Sequence, residues 1–135
     1  MILVDTSVWI DFFKGEGNNE VALLERFIES EESITHSGII LQELFQGVNS
    51  AKQRQLIENY FSPFFELFPQ KSTYFLAARI YRDSRSNGHP IRSSIDCLIA
   101  ALAIESSCKL LHKDRDFEYI SEISRLKTAR SNKTE

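Results

Sequence analysis

At 135 residues, with 42% hydrophobic and 26% charged side chains, the chain suits one domain with its own core and is too short for two ordinary ones. The longest wholly apolar run is CLIAALAI (residues 97–104), far below a membrane span, and the N-terminus lacks the basic stretch and small-residue cleavage site of a secretory signal, so a cytoplasmic protein without a membrane partner is expected. The net charge of −3 speaks mildly against nucleic acid, but residues 1–78 carry 5 basic and 11 acidic side chains (−6) and residues 79–135 carry 11 basic and 8 acidic (+3).

In chain order, residues 1–4 form a short apolar run suited to a buried strand. Residues 6–14 read as a helix and 15–19 as a turn. Residues 21–29 place Val21, Leu24, Phe27 and Ile28 on one helical face. Residues 33–36 make a short strand, Ser37 is suited to cap a helix reaching about residue 48, and a further helix runs from about 52 to 61. Pro63 breaks that pattern, and residues 64–68 read as a strand ended by Pro69. Residues 72–86 are helical by the spacing of Phe75, Ala78 and Tyr81/Arg82, and NGHP (87–90) is a loop. Ser93 or Ser94 caps the helix holding CLIAALAI, residues 109–111 form a strand, and a short helix and a weaker strand close the chain.

No repeat, low-complexity block or linker interrupts this order, so residues 1–135 are expected to form a single domain, with a tail from about 128 that is flexible or engaged by a partner. Short apolar strands alternating with longer helices predict an α/β fold, a three-layer α/β/α sandwich around a mostly parallel sheet. Such sheets bind ligands beyond the carboxyl ends of their strands.

Three acids fall at that edge. Asp5 ends the first strand; as Asp followed by Thr-Ser it is equally suited to N-cap the next helix. Asp96 leads into the eight-residue apolar run, where a carboxylate is costly unless paired, capping or bound to a cation; Ser93-Ser94-Ile95-Asp96 also matches an S-x-x-D capping box. Asp114 lies just past the strand in KLLHKDRDF, with Asp116 two residues on, and both also fit solvated loop acids. Periodicity turns Glu43 away from the Ile40, Leu41, Leu44 and Val48 stripe and makes it a surface residue, and Asp11 reads as an ordinary helix acid. Carboxylates gathered together repel unless a cation neutralises them, and all-oxygen ligands suit Mg²⁺ or Mn²⁺. A P-loop, a G-x-S-x-G elbow and zinc-spaced Cys/His are all missing, which leaves metal-assisted phosphodiester hydrolysis as the reaction class the acids favour. Cys97 and Cys108 are expected as reduced thiols. Arg79, Arg82, Arg85 and Arg92 offer either a basic RNA-binding surface or an ordinary solvated face.

The set VDTSVWIDFF, LQEL, RSSIDCLIAALA and LLHKDRDF resembles the PIN-domain ribonucleases, most closely the VapC-type toxins of bacterial and archaeal toxin–antitoxin pairs, in order and along nearly the whole chain. The resemblance implies a PIN-like fold and an acidic site of Asp5, Glu43, Asp96 and Asp114, with Asp5, Asp96 and Asp114 as metal ligands and Asp116 sharing or replacing Asp114. Thr6 and Ser7 match hydroxyls that support the first acid, and Glu43 is thereby moved from surface to site. It further implies one or two Mg²⁺ or Mn²⁺ ions, an RNA substrate with transfer RNA as the family-based expectation, a homodimer, and a cognate antitoxin filling the groove. The chain departs from the family at His112, where Thr is frequent. Trp9 with Phe12 or Phe13 reads as a core or interface anchor, and His36 and His89 as structural or loop residues. Two rivals remain open on sequence: a non-catalytic module of the same fold that binds RNA or protein, and a DNA-directed nuclease.

Overall fold

The computed structural model describes residues 1–129; residues 130–135, most of the tail expected from about 128, lie outside the described residues. Five strands, β1 (Ile2–Val4), β2 (Ile34–Ser37), β3 (Phe65–Leu67), β4 (Lys109–Leu111) and β5 (Lys127–Thr128), form one sheet in the order β3-β2-β1-β4-β5. Every pairing is parallel, with Leu3 opposite Thr35 on one side and Leu110 on the other. The central strand is Ile-Leu-Val without polar alternation because helices cover both of its faces, and all three residues are buried.

The helices are α1 (Thr6–Lys14), α2 (Asn19–Glu29), α3 (Gly38–Phe45), α4 (Ala51–Phe61), α5 (Lys71–Ser86), α6 (Ser94–Glu105) and α7 (Arg115–Ile123). From β1 the chain steps outward through β2 to β3, with α1 packing against α2 and α3. It then returns to the far side of β1 as β4 and β5, with α5, α6 and α7 packing together. Right-handed crossovers in opposite directions put the two helix groups on opposite faces of the sheet. The reversal also makes the gap between β1 and β4 the place where one connection leaves upward and the next downward, which opens a crevice at their carboxyl ends.

Local chemistry explains the element boundaries. Gly15 ends α1 in the left-handed region at φ 76°, where a Cβ would be strained, and the Asn18 side chain caps α2 from the backbone N–H of Val21. The helix expected to reach residue 48 ends at Phe45. Ser37 stands at its N-cap position without a side-chain capping bond, because its hydroxyl is buried and finds no partner among the described residues. In α6, Ala100, Ala101 and Ala103 are buried together with Ile99 and Leu102, and these small residues let α5 approach closely. The Thr73 hydroxyl of α5 adds a 2.5 Å hydrogen bond to Glu105 of α6. Both cysteines are free and buried.

Trp9 is fully buried and anchors the first helix layer. Its ring meets Phe61 of α4 edge-on at 4.7 Å, stacks on Phe13 at 5.8 Å and on Phe64 at 6.0 Å, and holds α1 against α4. Edge-to-face pairs of this kind add to the area that each ring buries. Trp9→Ala is expected to lower unfolding stability by about 3–5 kcal/mol, whereas Leu56→Ala, at a position 61% exposed, should change it by about 0.5 kcal/mol or less. Urea denaturation followed by circular dichroism measures both.

Candidate active site

Asp5 leaves β1 at the crevice. Its backbone N–H donates to Leu111 of β4 (2.9 Å), tying the two strand ends together. The carboxylate caps α1 through one oxygen, Oδ2, which accepts from the Ser7 backbone N–H (3.3 Å) and the Ser7 hydroxyl (2.7 Å). Burial raises its pKa above the usual carboxylate range, and the Ser7 hydrogen bonds oppose that shift. Ser7, at the second helical position, turns back toward the cap as capping geometry requires. Thr6, one residue earlier, faces α3 instead, and its hydroxyl donates to Glu43 Oε1 at 2.7 Å. The two hydroxyls expected to support Asp5 therefore serve different acids. Glu43 is half-buried, not a surface residue; a helix held edge-on to the crevice presents an inward face that the apolar stripe does not mark.

Asp96 sits in the first turn of α6. The Ser93 hydroxyl caps the helix from the Asp96 backbone N–H (3.1 Å), but the return bond of a capping box is not made: among the described residues nothing donates to the Asp96 carboxylate. Its pKa is pushed up to about 7, by burial first and then by the charges of Asp5, Asp114, Glu43 and Asp116. Asp114 caps α7 through Oδ1, which accepts from the Asp116 backbone N–H at 2.9 Å. Asp96, Asp114 and Asp116 each bring one carboxylate oxygen within 4.8 Å of the others. Asp5 and Glu43 lie outside this trio but act electrostatically on Asp96.

Asp5, Glu43 and Asp114 share one arrangement. Each is held by neutral donors: Ser7 holds Asp5 Oδ2, the Thr6 hydroxyl holds Glu43 Oε1, and the Asp116 backbone N–H holds Asp114 Oδ1. No lysine or arginine among the described residues pairs with any of the five acids; the exposed His89 places its Nε2 3.5 Å from Asp116. Uncompensated all-oxygen donors held in fixed directions fit a hard divalent cation, which would offset their repulsion.

His112 and the Asp11–Lys113 pair bear on the site in ways the sequence pattern does not show. His112 is buried below Asp114: its Nδ1 accepts from the Asp114 backbone N–H (3.1 Å), which leaves the proton on Nε2 to donate to Glu118 (2.8 Å). The signal for it was the departure from the family's Thr. Asp11 is not an ordinary helix acid. It is buried, accepts from Asn18 (2.9 Å) and pairs with Lys113, so the end of α1 is tied to the turn that carries Asp114. The Lys113 hydrogen bond holds the Asp11 carboxyl below its usual range. His36 is buried in β2 with its ring 5.4 Å from Phe61, and His89 stacks on Tyr119 at 4.0 Å. The four arginines do not form one group. Arg82 and Arg92 line one cavity, Arg85 lies over the Tyr81 ring, and Arg79 lines a separate cleft with Asp83 and Arg125.

Residues 2–123 match the family model described as PIN domain. The chain is 34% identical over 131 residues to a VapC ribonuclease of Mycobacterium bovis and to the ribonuclease VapC11 of Mycobacterium tuberculosis, covering 96% of this chain and 98% of each relative. Among solved structures it resembles VapBC2 from Rickettsia felis bound to a DNA fragment from their promoter (TM-score 0.76, 21% identity, 96% of this chain and 98% of that one). It also resembles FitAcB from Neisseria gonorrhoeae (TM-score 0.73, 21% identity, 97% and 98%). At that identity the structural likenesses show a shared fold.

The raised carboxyls make stability depend on pH. Asp96 keeps its proton in the folded chain to about 7 but loses it near 3.8 when unfolded, so between those values the folded state holds more protons and stability falls as pH rises. Asp5, also raised, acts in the same direction. Without divalent cations, the calorimetric melting temperature is expected to drop from pH 4.5 to pH 7.5, and Asp96→Asn should flatten that drop.

Proposed function

Because the chain belongs to the PIN-domain family, we propose that it is a metal-dependent endoribonuclease, the toxin of a toxin–antitoxin pair, acting in the cytoplasm. The observation that carries this reading is the gathering of acids at the β1/β4 crevice, where Asp96, Asp114 and Asp116 bring carboxylate oxygens within 4.8 Å of one another and Asp5 and Glu43 act on Asp96. The ribonuclease names of relatives 34% identical over nearly the whole chain support the reaction class.

In this reading Asp96, Asp114 and Asp116 hold a divalent cation, Mg²⁺ or Mn²⁺, with Asp5 completing the ligand set. When bound, such an ion lowers the pKa of a coordinated water and offsets charge on the phosphodiester. The protein's part is orientation. Ser7 fixes the direction of Asp5, Thr6 fixes Glu43 for hydrogen bonding to the attacking water, and the His112–Glu118 pair fixes the backbone that carries Asp114. Arg82 and Arg92 bind the RNA strand. The substrate is RNA with unpaired segments, transfer RNA being the target proposed. The chain works as a homodimer held in check by its antitoxin; the VapBC complexes that share its fold support the antitoxin part of this reading.

Asp5→Ala and Asp96→Ala are each expected to lower RNA cleavage by about 100-fold or more while the circular dichroism spectrum stays that of the parent. Gel analysis of a labelled RNA panel with Mg²⁺ or Mn²⁺ measures this. Cleavage by both variants at the parent rate would overturn the site assignment.

A further inference from the structure

Lys113 stands next to Asp114 in sequence, yet its ammonium pairs with Oδ2 of Asp11, 102 residues away, rather than with an acid of the cluster. Asp11 is buried, and the same Oδ2 accepts from Asn18 Nδ2 at 2.9 Å. Asn18 is fixed in turn, because its Oδ1 accepts from the Val21 backbone N–H (2.9 Å) as the cap of α2. Glu16 and Glu20 act on the ammonium in the same sense as Asp11. We propose that Asp11 is a positioning residue that holds Lys113 away from Asp96, Asp114 and Asp116, so that a divalent cation meets no internal competitor there. The inference rests on the metal-site part of the reading above and adds what keeps that site open.

The chemistry of the ammonium makes this control necessary. A lysine is a compact point charge on a flexible four-carbon stem, able to take several directions from one backbone position. The cluster attracts such a charge: Asp96, Asp114 and Asp116 bring carboxylate oxygens within 4.8 Å of one another, and no lysine or arginine among the described residues pairs with them. An ammonium among them would relieve their repulsion and occupy oxygens that a hard cation needs. Asp11 draws it away because Asn18 already fixes the carboxylate and the side chain is only 10% exposed, so its field is little screened. The Lys113 side chain is 38% exposed, so packing does not trap it and loss of Asp11 frees it to move. The same ion pair ties α1 to the turn of Asp114, and a mechanical tie fails whichever partner is removed. Exclusion behaves differently: losing Asp11 harms the site only while Lys113 is present.

The test titrates the full chain, freed of divalent metal, with Mn²⁺ and reads the free ion by electron paramagnetic resonance. Asp11→Asn, which keeps the side-chain shape and an acceptor for Asn18, is expected to weaken Mn²⁺ binding about tenfold or more. Adding Lys113→Met to it should restore binding to within about twofold of the parent. A double variant as weak as Asp11→Asn would overturn the proposal and leave the pair a mechanical tie. Parental affinity in Asp11→Asn would overturn it too. A crystal structure of metal-free Asp11→Asn gives a second reading that needs no metal. The Lys113 ammonium is expected within about 4 Å of a carboxylate of Asp96, Asp114 or Asp116, and an ammonium left in solvent would count against the proposal. If the parent binds no Mn²⁺ while that structure shows the ammonium in the cluster, the role of Asp11 stands and the metal-site reading fails on its own.

Discussion

Five carboxylates converge on the carboxyl ends of β1 and β4, and their mutual repulsion is the constraint to which the surrounding structure answers. Asp96 shows it most directly: burial and four neighbouring acids push its pKa up to about 7. No lysine or arginine among the described residues relieves the cluster, although Lys113 stands next to Asp114 in sequence. Lys113 turns away to Asp11, on the far side of the turn. A site that keeps its own cations outside remains free for a cation from solution, at the cost of strain in the metal-free protein.

Holding like charges together requires that each be fixed by something other than an opposite charge. Here the fixing is done with hydroxyls, backbone N–H groups and helix ends. Ser7 and Thr6, adjacent in sequence, diverge to Asp5 and Glu43; the start of α7 holds Asp114; and a buried imidazole braced by Glu118 holds the backbone behind it. The starts of α1 and α7 place positive dipole ends near Asp5 and Asp114, which eases the repulsion without occupying their ligand oxygens. The aromatic anchor around Trp9 keeps α1, and with it Asp5, Thr6 and Ser7, in a single position. Packing far from the crevice thereby sets directions inside it.

The uneven charge along the chain acquires a spatial meaning. The acids of the site come from both halves, whereas the arginines come from the second half alone and are parted by the faces of α5. Arg82 and Arg92 line one cavity between α5 and α6, while Arg79 belongs to a different cleft. The net charge of −3 over the whole molecule thus combines an acidic crevice with a cavity whose lining carries two arginines and no carboxylate.

Much of this was legible in the residues themselves. An apolar run without alternation marks a strand covered on both faces, the spacing of the helices marks parallel crossovers, and a carboxylate at the end of such a run marks the ligand edge; Asp5 and Asp114 stand out on those grounds, and Asp96 because it leads into a wholly apolar helical run. These features are local, set by backbone geometry over a few residues. The partners were not legible: that β1 lies between β2 and β4, that Glu43 turns inward, that Asp11 reaches Lys113 across 102 residues, and that Thr6 and Ser7 part company. Each depends on which surfaces meet once the sheet reverses direction. Periodicity records the side of a helix that is apolar, but only packing decides what the polar side faces.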